Sequence, residues 1–281
     1  MLSYRHAFHA GNHADVLKHA VLLDVLHHLN QKEKPWLYVD THAGAGCYAL
    51  GSGQAAQTGE FLGGIARLWD GDNLPPILAD YVSEVATFNA GGALRYYPGS
   101  PALAANCLRR DDRMRLFELH STDAPQLARY FREDGRRVRV DQADGFEALA
   151  SVLPPPSRRG VVLMDPSYEI KTDYRRVAEA LAAGVRRFAT GTFILWYPLI
   201  QRPEARHLSE RLSKIGAPNW LRAELSVQKP RSDGLGMLGS GVFVVNPPWT
   251  LAERLKPALT YLADVFAEDG AGQFRLEGQA P

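Results

Sequence analysis

Apolar residues recur at helical spacing through residues 14–29 (ADVLKHAVLLDVLHHL), with Asn12 placed to cap the start and Asn30 at the far end, which predicts an amphipathic helix. The run WLYVD then ends in Asp40 and passes into Thr41-His42-Ala43-Gly44-Ala45-Gly46, the pattern of a buried strand followed by a glycine-bearing turn. Further apolar runs end at Glu118 (MRLFE), near Val140 (RVRV), at Asp165 (VVLMD), at Trp196 (TFILW), near Val227 (LRAELSV) and at Asn246 (VFVVN), making seven strand candidates. Helical stretches at 123–131, 146–153, 173–188 and 204–215 separate most of them. That alternation predicts an α/β chain with a Rossmann-like, seven-stranded, mostly parallel sheet. The last two runs are joined by the glycine-rich segment 228–241 and not by a helix, so the last strand is expected to be antiparallel and the connecting loop mobile. Residues 51–93 are mostly helical in pattern where one short helix would suffice, and read as a small helical insertion within a single domain spanning 1–281. Residues 1–13 read as a tail lying near the active site.

Composition narrows the setting. With 281 residues and 46% hydrophobic content the chain can bury the core of one large domain. Cys47 and Cys107 form no CxxC pair, which argues against a disulfide framework or a cysteine-based zinc site and points to a reducing, cytoplasmic location. No apolar run approaches the roughly 18 residues of a membrane span, so no membrane association is expected. Thirty-two basic residues balance 31 acidic ones, so any polyanion must meet a local patch. Lys171, Lys229 and Arg231 are placed for such a patch, because their loops should flank the crevice at the strand ends.

The glycine turn at Gly44 is by itself a weak nucleotide signal, and Ala49 even completes a GxGxxA pattern. A nicotinamide-dependent oxidoreductase is therefore one reading, but it wants an acid about 20 residues further on, at the tip of an immediate second strand. The helical insertion occupies that place. Instead Asp40 ends the first strand, Glu118 the second, and Asp144-Gly145 follows the third, the spacing used for S-adenosyl-L-methionine. In that arrangement the Gly44 turn passes the amino-acid moiety, Glu118 accepts the vicinal ribose hydroxyls and Asp144 takes the adenine amine.

Asp165-Pro166-Ser167-Tyr168 ends the very apolar fourth run. An exocyclic amine on an aromatic ring is a poor nucleophile because its lone pair is delocalised. A carboxylate and a proline-turn carbonyl that accept its two N–H bonds favour a pyramidal nitrogen, while an aromatic ring stacks on the base. Asp165 is thus the expected catalytic residue, with Pro166 and Tyr168 holding the acceptor. Asn246-Pro247-Pro248-Trp249 fits the same pattern, but it follows the seventh strand, expected at or beyond the edge far from the cofactor. The motif selects an amine-type nitrogen and not one base, so guanine N2, cytosine N4 and protein glutamine remain rival acceptors, beside an RNA-binding module without catalysis. Among the histidines of the N-terminal stretch, His6 and His9, or His9 and His13, have feasible metal spacing, yet Asp15 is the one nearby acid and methyl transfer needs no metal. Lys18 or His19 meeting the cofactor carboxylate is the better reading.

The segments YRHAFHAGNHADVLKH (4–19), DTHAGAG (40–46), YYPGSP (96–101), DPSYEIKTDY (165–174) and FILWYP (193–198) resemble the bacterial 23S ribosomal RNA adenine-N6 methyltransferase (RlmJ) family, and the resemblance runs through nearly the whole chain. It implies a class I methyltransferase, monomeric and cytoplasmic, that acts on protein-poor 23S ribosomal RNA with S-adenosyl-L-methionine as cofactor. It further implies His19, His42, Ser100, Glu118, Asp144 and Gly145 at the cofactor with Lys18 close to it, Asp165 at the chemistry and Tyr4 at the RNA substrate, beside the Gly44 turn at the cofactor and Pro166, Tyr168 and Lys171 at the substrate that the residue patterns above already place there. Ser167 departs from the family pattern, which has a second proline there. The serine restores a backbone N–H and loosens the turn, so slower turnover with retained function is expected.

Overall fold

The computed structural model describes residues 4–51, 53–234, 236–268 and 270–279. Its strands are β1 Leu37–Asp40, β2 Cys47–Ala49, β3 Tyr96–Pro98, β4 Arg113–Phe117, β5 Val138–Asp141, β6 Gly160–Met164, β7 Thr192–Leu199, β8 Trp220–Ser226, β9 Gly239–Val245 and β10 Gln273–Gln279. Its helices are α1 His13–Asn30, α2 Gly53–Thr58, α3 Ala66–Trp69, α4 Pro76–Thr87, α5 Ser100–Cys107, α6 Asp123–Tyr130, α7 Gly145–Val152, α8 Asp173–Arg187, α9 Pro203–Leu212 and α10 Leu251–Val265.

The main sheet runs β10-β8-β9-β7-β6-β1-β4-β5. Strands β5, β4, β1, β6 and β7 pair in parallel, as a Rossmann-like sheet requires, whereas β9 is antiparallel to both its neighbours and β10 is antiparallel to β8. All seven expected strands are in the sheet, and an eighth, β10, joins at the edge. Its sequence, QFRLEGQ, lacks an apolar run because an edge strand has one open flank, and Arg275 and Glu277 occupy it. Pairing of Cys47–Ala49 with Tyr96–Pro98 makes a separate small sheet that brings together the two ends of the intervening segment, where α2, α3 and α4 lie.

Side chains alternate across the sheet. Tyr38, Val161, Leu163 and Ile194 pack toward α1, α4, α5 and α10, while Val39, Val162, Met164 and Leu195 pack toward α7, α8 and α9. Every residue of β6 is buried, which is what a central parallel strand covered on both faces demands. Asn12 caps α1 by accepting from the backbone N–H groups of Ala14 and Asp15, each at 3.0 Å. The amphipathic character expected of α1 is not what the structure has: residues 14–26 are buried throughout, because α4, α5 and α10 close over the side a surface helix would expose. Its buried polar side chains Asp15, Lys18 and His19 therefore have a use beyond solvation.

Candidate active site

The C-terminal ends of the parallel strands converge where the chain order reverses, with β4 on one side of β1 and β6 on the other. Two cavities open there. The first is lined by Lys18, His19, His42, Gly44, Ser100, Glu118, Asp144, Gly145 and Pro166, among others. The second is lined by the aromatic and apolar groups Tyr168, Tyr174, Trp196, Ile200 and Met237 together with the polar His9, Asp15, Glu60 and Arg202. Tyr4, His6, Lys18, Asp165 and Ser167 line both.

The first cavity is built from backbone and acids. Gly44 holds φ +63°, and a Cβ there would fall 2.3 Å from the Tyr48 hydroxyl. Its amide donates to Glu118 Oε2 at 2.8 Å, and the His120 amide donates to Oε1 at 2.7 Å, so the Glu118 carboxylate is fixed with its remaining lone pairs available. Burial raises the pKa of Glu118, and those two amides oppose the rise. Gly145 begins α7 so close to Thr41 that a Cβ would lie 2.1 Å from the Thr41 carbonyl oxygen. Asp144 caps that helix through the Phe146 and Glu147 amides and ion-pairs with Arg176 at 2.6 Å, so its carboxylate is already well partnered. Ser100, at the start of α5, donates to Asp40 Oδ2 at 2.7 Å, and Tyr38 donates to the same oxygen at 2.7 Å. Burial pushes Asp40 up to about 6, although these hydroxyls and the His42 amide pull the other way. His19 sits 2.7 Å from the Tyr97 hydroxyl, and burial lowers its pKa to about 3. It is a neutral imidazole, which replaces the idea of a cation at that position with a hydrogen-bonding group. Burial likewise lowers His42 to about 4, with its ring edge-on to Phe146 at 4.8 Å. A glycine cradle, a bidentate acid and buried neutral donors fit the amino-acid, ribose and base portions of adenosylmethionine.

Asp165 follows β6 directly, and its Oδ2 lies 2.5 Å from Lys18 Nζ. Lys18 is 3% exposed and also binds Asp15 Oδ1 at 2.8 Å. Burial would lower its pKa, but the two carboxylates carry it above the ordinary lysine range. Tyr168 adopts φ +52°, turns its ring into the second cavity's wall against Tyr174 (4.6 Å) and Trp196 (6.0 Å), and donates to the Trp196 carbonyl at 2.7 Å. Tyr4 stacks on His9 at 5.3 Å and 10°, its hydroxyl 3.1 Å from His6 Nδ1. Its phenol is kept protonated by burial and by the nearby negative charge of Asp165. Met1 to Ser3 of the tail lie outside the described residues.

Lys171 is exposed, pairs with Glu204 at 3.3 Å and lines neither cavity, although its neighbour Ile170 lines the first. Asn246 is away from the site, but for a different reason from the expected one. Strand β9 lies inside the sheet, between β7 and β8, and its antiparallel direction carries its end to the opposite end of the sheet, beside the start of β7, where the Asn246 amide donates to the carbonyls of Ala189 and Gly191 at 2.8 Å each. Among the described residues no cluster of His, Cys, Asp or Glu could hold a metal; His6 goes to Asp15 and His9 to Glu60, each within about 3 Å, as ordinary hydrogen-bonding partners. Sequence reading had not assigned Asp15, Trp196, Arg202 or Met237 to the site. Asp15 carried a signal, its i,i+3 spacing to Lys18, whereas Arg202 and Met237 arrive from connections whose position only the fold sets.

Residues 33–279 match the model of the family described as "Ribosomal RNA large subunit methyltransferase D, RlmJ". The chain is 50% identical over 281 residues to ribosomal RNA large subunit methyltransferase J of Escherichia coli (strain K12), and 47% identical over 282 residues to the protein of that name in Haemophilus influenzae, with all of each chain covered. A solved structure from Legionella pneumophila superposes with a TM-score of 0.89 at 35% identity, covering 97% of this chain and 99% of the other. Full-length coverage at half identity, together with the fold and the cavities at its strand ends, places the chain in the ribosomal RNA large subunit methyltransferase J family.

Proposed function

We infer that this chain transfers a methyl group from S-adenosyl-L-methionine to the exocyclic N6 amine of an adenine in 23S ribosomal RNA. The observation that carries the reading is the meeting of two unlike cavities at Asp165, one of acids and glycine backbone, the other of aromatic rings. When bound in the first, adenosylmethionine supplies a methyl group made electrophilic by its sulfonium. Gly44 and Ser100 lie along its amino-acid end, with Lys18 and the neutral His19 beside it; Glu118 accepts its ribose hydroxyls; His42, Asp144 and Gly145 border its base. Asp165 and the Pro166 carbonyl accept the N–H bonds of the target amine, which localises its lone pair and directs it at the methyl. Asp165 thereby orients more than it deprotonates, and takes the proton after transfer. Tyr168 and Tyr4 hold the base between rings, and Lys171 on the rim meets the backbone.

A base paired in the RNA must leave its stack to reach Asp165, at a cost of a few kcal/mol that a loop target avoids. The family's names support a large-subunit RNA acceptor over a protein amide. The chain acts as a monomer in the cytoplasm on RNA not yet covered by ribosomal proteins. Labelled methyl transfer to unmodified 23S RNA, with mass-spectrometric mapping, tests the acceptor and the role of Asp165. Label is expected on adenine N6, and Asp165→Ala is expected to lose about 10²- to 10⁴-fold in rate. Label on guanine or cytosine, or undiminished transfer by the variant, overturns the reading.

A further inference from the structure

We propose that Asp15 is a positioning residue for methyl transfer: it is the counter-ion that draws the Lys18 ammonium off Asp165 and keeps it neutralised while Asp165 holds the target amine. The inference rests on the role given to Asp165 above. Lys18 Nζ lies between two carboxylates, 2.8 Å from Asp15 Oδ1 and 2.5 Å from Asp165 Oδ2, in a setting where the lysine and Asp15 are nearly devoid of solvent. So placed, Lys18 occupies Oδ2 of Asp165 and competes with an amine N–H for that carboxylate. A buried ammonium cannot simply be released, because an unpaired charge in the interior is far costlier than a paired one. Asp15 removes that obstacle, since Lys18 can turn toward it without travelling.

Charge gives a second reason. The amine nitrogen gains positive charge as it takes the methyl, and an uncompensated ammonium beside it would oppose that change. Asp15, Lys18 and Asp165 together carry a single net negative charge; without Asp15 the cluster is neutral. Asp15 is itself held for this work. Its Oδ2 accepts from the Gly11 amide at 2.8 Å and lies 3.0 Å from His6 Nε2, leaving Oδ1 aimed at Lys18. Burial alone would raise its pKa, but His6 and Lys18 hold it well below the ordinary carboxylate range.

Asp15→Asn separates charge from shape, because the amide oxygen can still accept from Gly11 while the counter-ion is lost. With full-length protein and 23S RNA, kcat of the Asn variant is expected to fall about tenfold to a hundredfold. The adenosylmethionine Kd by calorimetry and the Tm are expected to stay near wild type. Asp165→Asn is measured in parallel. A D15N kcat within about twofold of wild type while D165N is inactive overturns the counter-ion role alone. A kcat loss matched by equal losses in cofactor affinity and Tm also overturns it, since Asp15 is then a structural residue. An active D165N removes the premise and with it the reading of Asp165.

Discussion

Ser167 is where the resemblance implies a second proline, and the surroundings say what a serine does there. The Ser167 hydroxyl accepts from the Glu169 amide only at 3.5 Å, and the next residue, Tyr168, already sits at φ +52°, a costly region for a side chain of that size. Packing against Tyr174 and Trp196 and the bond to the Trp196 carbonyl hold the ring there, so the turn does not depend on residue 167 for its shape. A proline at 167 then mainly removes freedom from the unfolded chain and the loose turn. Ser167→Pro is expected to leave kcat unchanged or raise it a few-fold, with a Tm no lower than wild type. A clear fall in kcat in the methyl-transfer assay would show that the serine N–H or hydroxyl is needed.

At the level of elements, the cofactor cavity depends on one close approach. Helix α7 begins at Gly145 directly over Thr41, the residue after β1, and a Cβ would sit 2.1 Å from the Thr41 carbonyl oxygen and 2.6 Å from its Cα. These are backbone atoms, so the contact cannot be relieved by a rotamer change. Gly145→Ala must push α7 away from β1, at about 2 kcal/mol or more and about 5 °C of Tm. The same displacement moves Asp144 and Phe146 away from His42, so the adenosylmethionine Kd is expected to rise with it. Calorimetry and thermal melting on one preparation check both; a stable variant with unchanged affinity would mean that the helix can shift without widening the cavity.

Across the molecule, the tail is held on the segment between β2 and β3. His9 Nδ1 lies 2.8 Å from Glu60 Oε1, and the Asn12 amide donates to Oε2 at 2.9 Å. The hydrogen bond to Glu60 raises the pKa of His9 against the effect of burial, and Glu60 is lowered by His9 and Asn12 although burial opposes it. The raised histidine contributes stability that is present below its ordinary value of 6.5 and lost as pH rises through its folded value. The lowered glutamate contributes stability that is present above 4.5 and lost as pH falls through its folded value. Docking of the tail, and with it the placement of Tyr4 on His9, is therefore strongest between those limits. Hydrogen exchange of the tail amides, corrected for intrinsic rates, is expected to lose protection as pH rises above 6.5 and through the raised folded pKa of His9 in wild type. Glu60→Gln should flatten that dependence, and an equal dependence in the variant would remove the ion pair as its cause.

Seven strands, the helices between them, the acids at the strand ends and Asp165 were legible in the sequence because each is written in local pattern: a run of apolar residues, its terminal acid, a glycine that permits a turn. Strand β10 was not, since an edge strand needs no apolar run, and α1 was misjudged as a surface helix because what covers it comes from distant segments. The sequence by itself determined the kinds of groups at the centre and the chemistry they suit. Only the tertiary structure decided that Asp15 and Asp165, 150 positions apart, share one lysine, that His19 is buried and neutral, and that Asn246 lies at the wrong end of the sheet. Burial, strand direction and the sharing of one charge by two partners are relations between segments, and no local pattern encodes them.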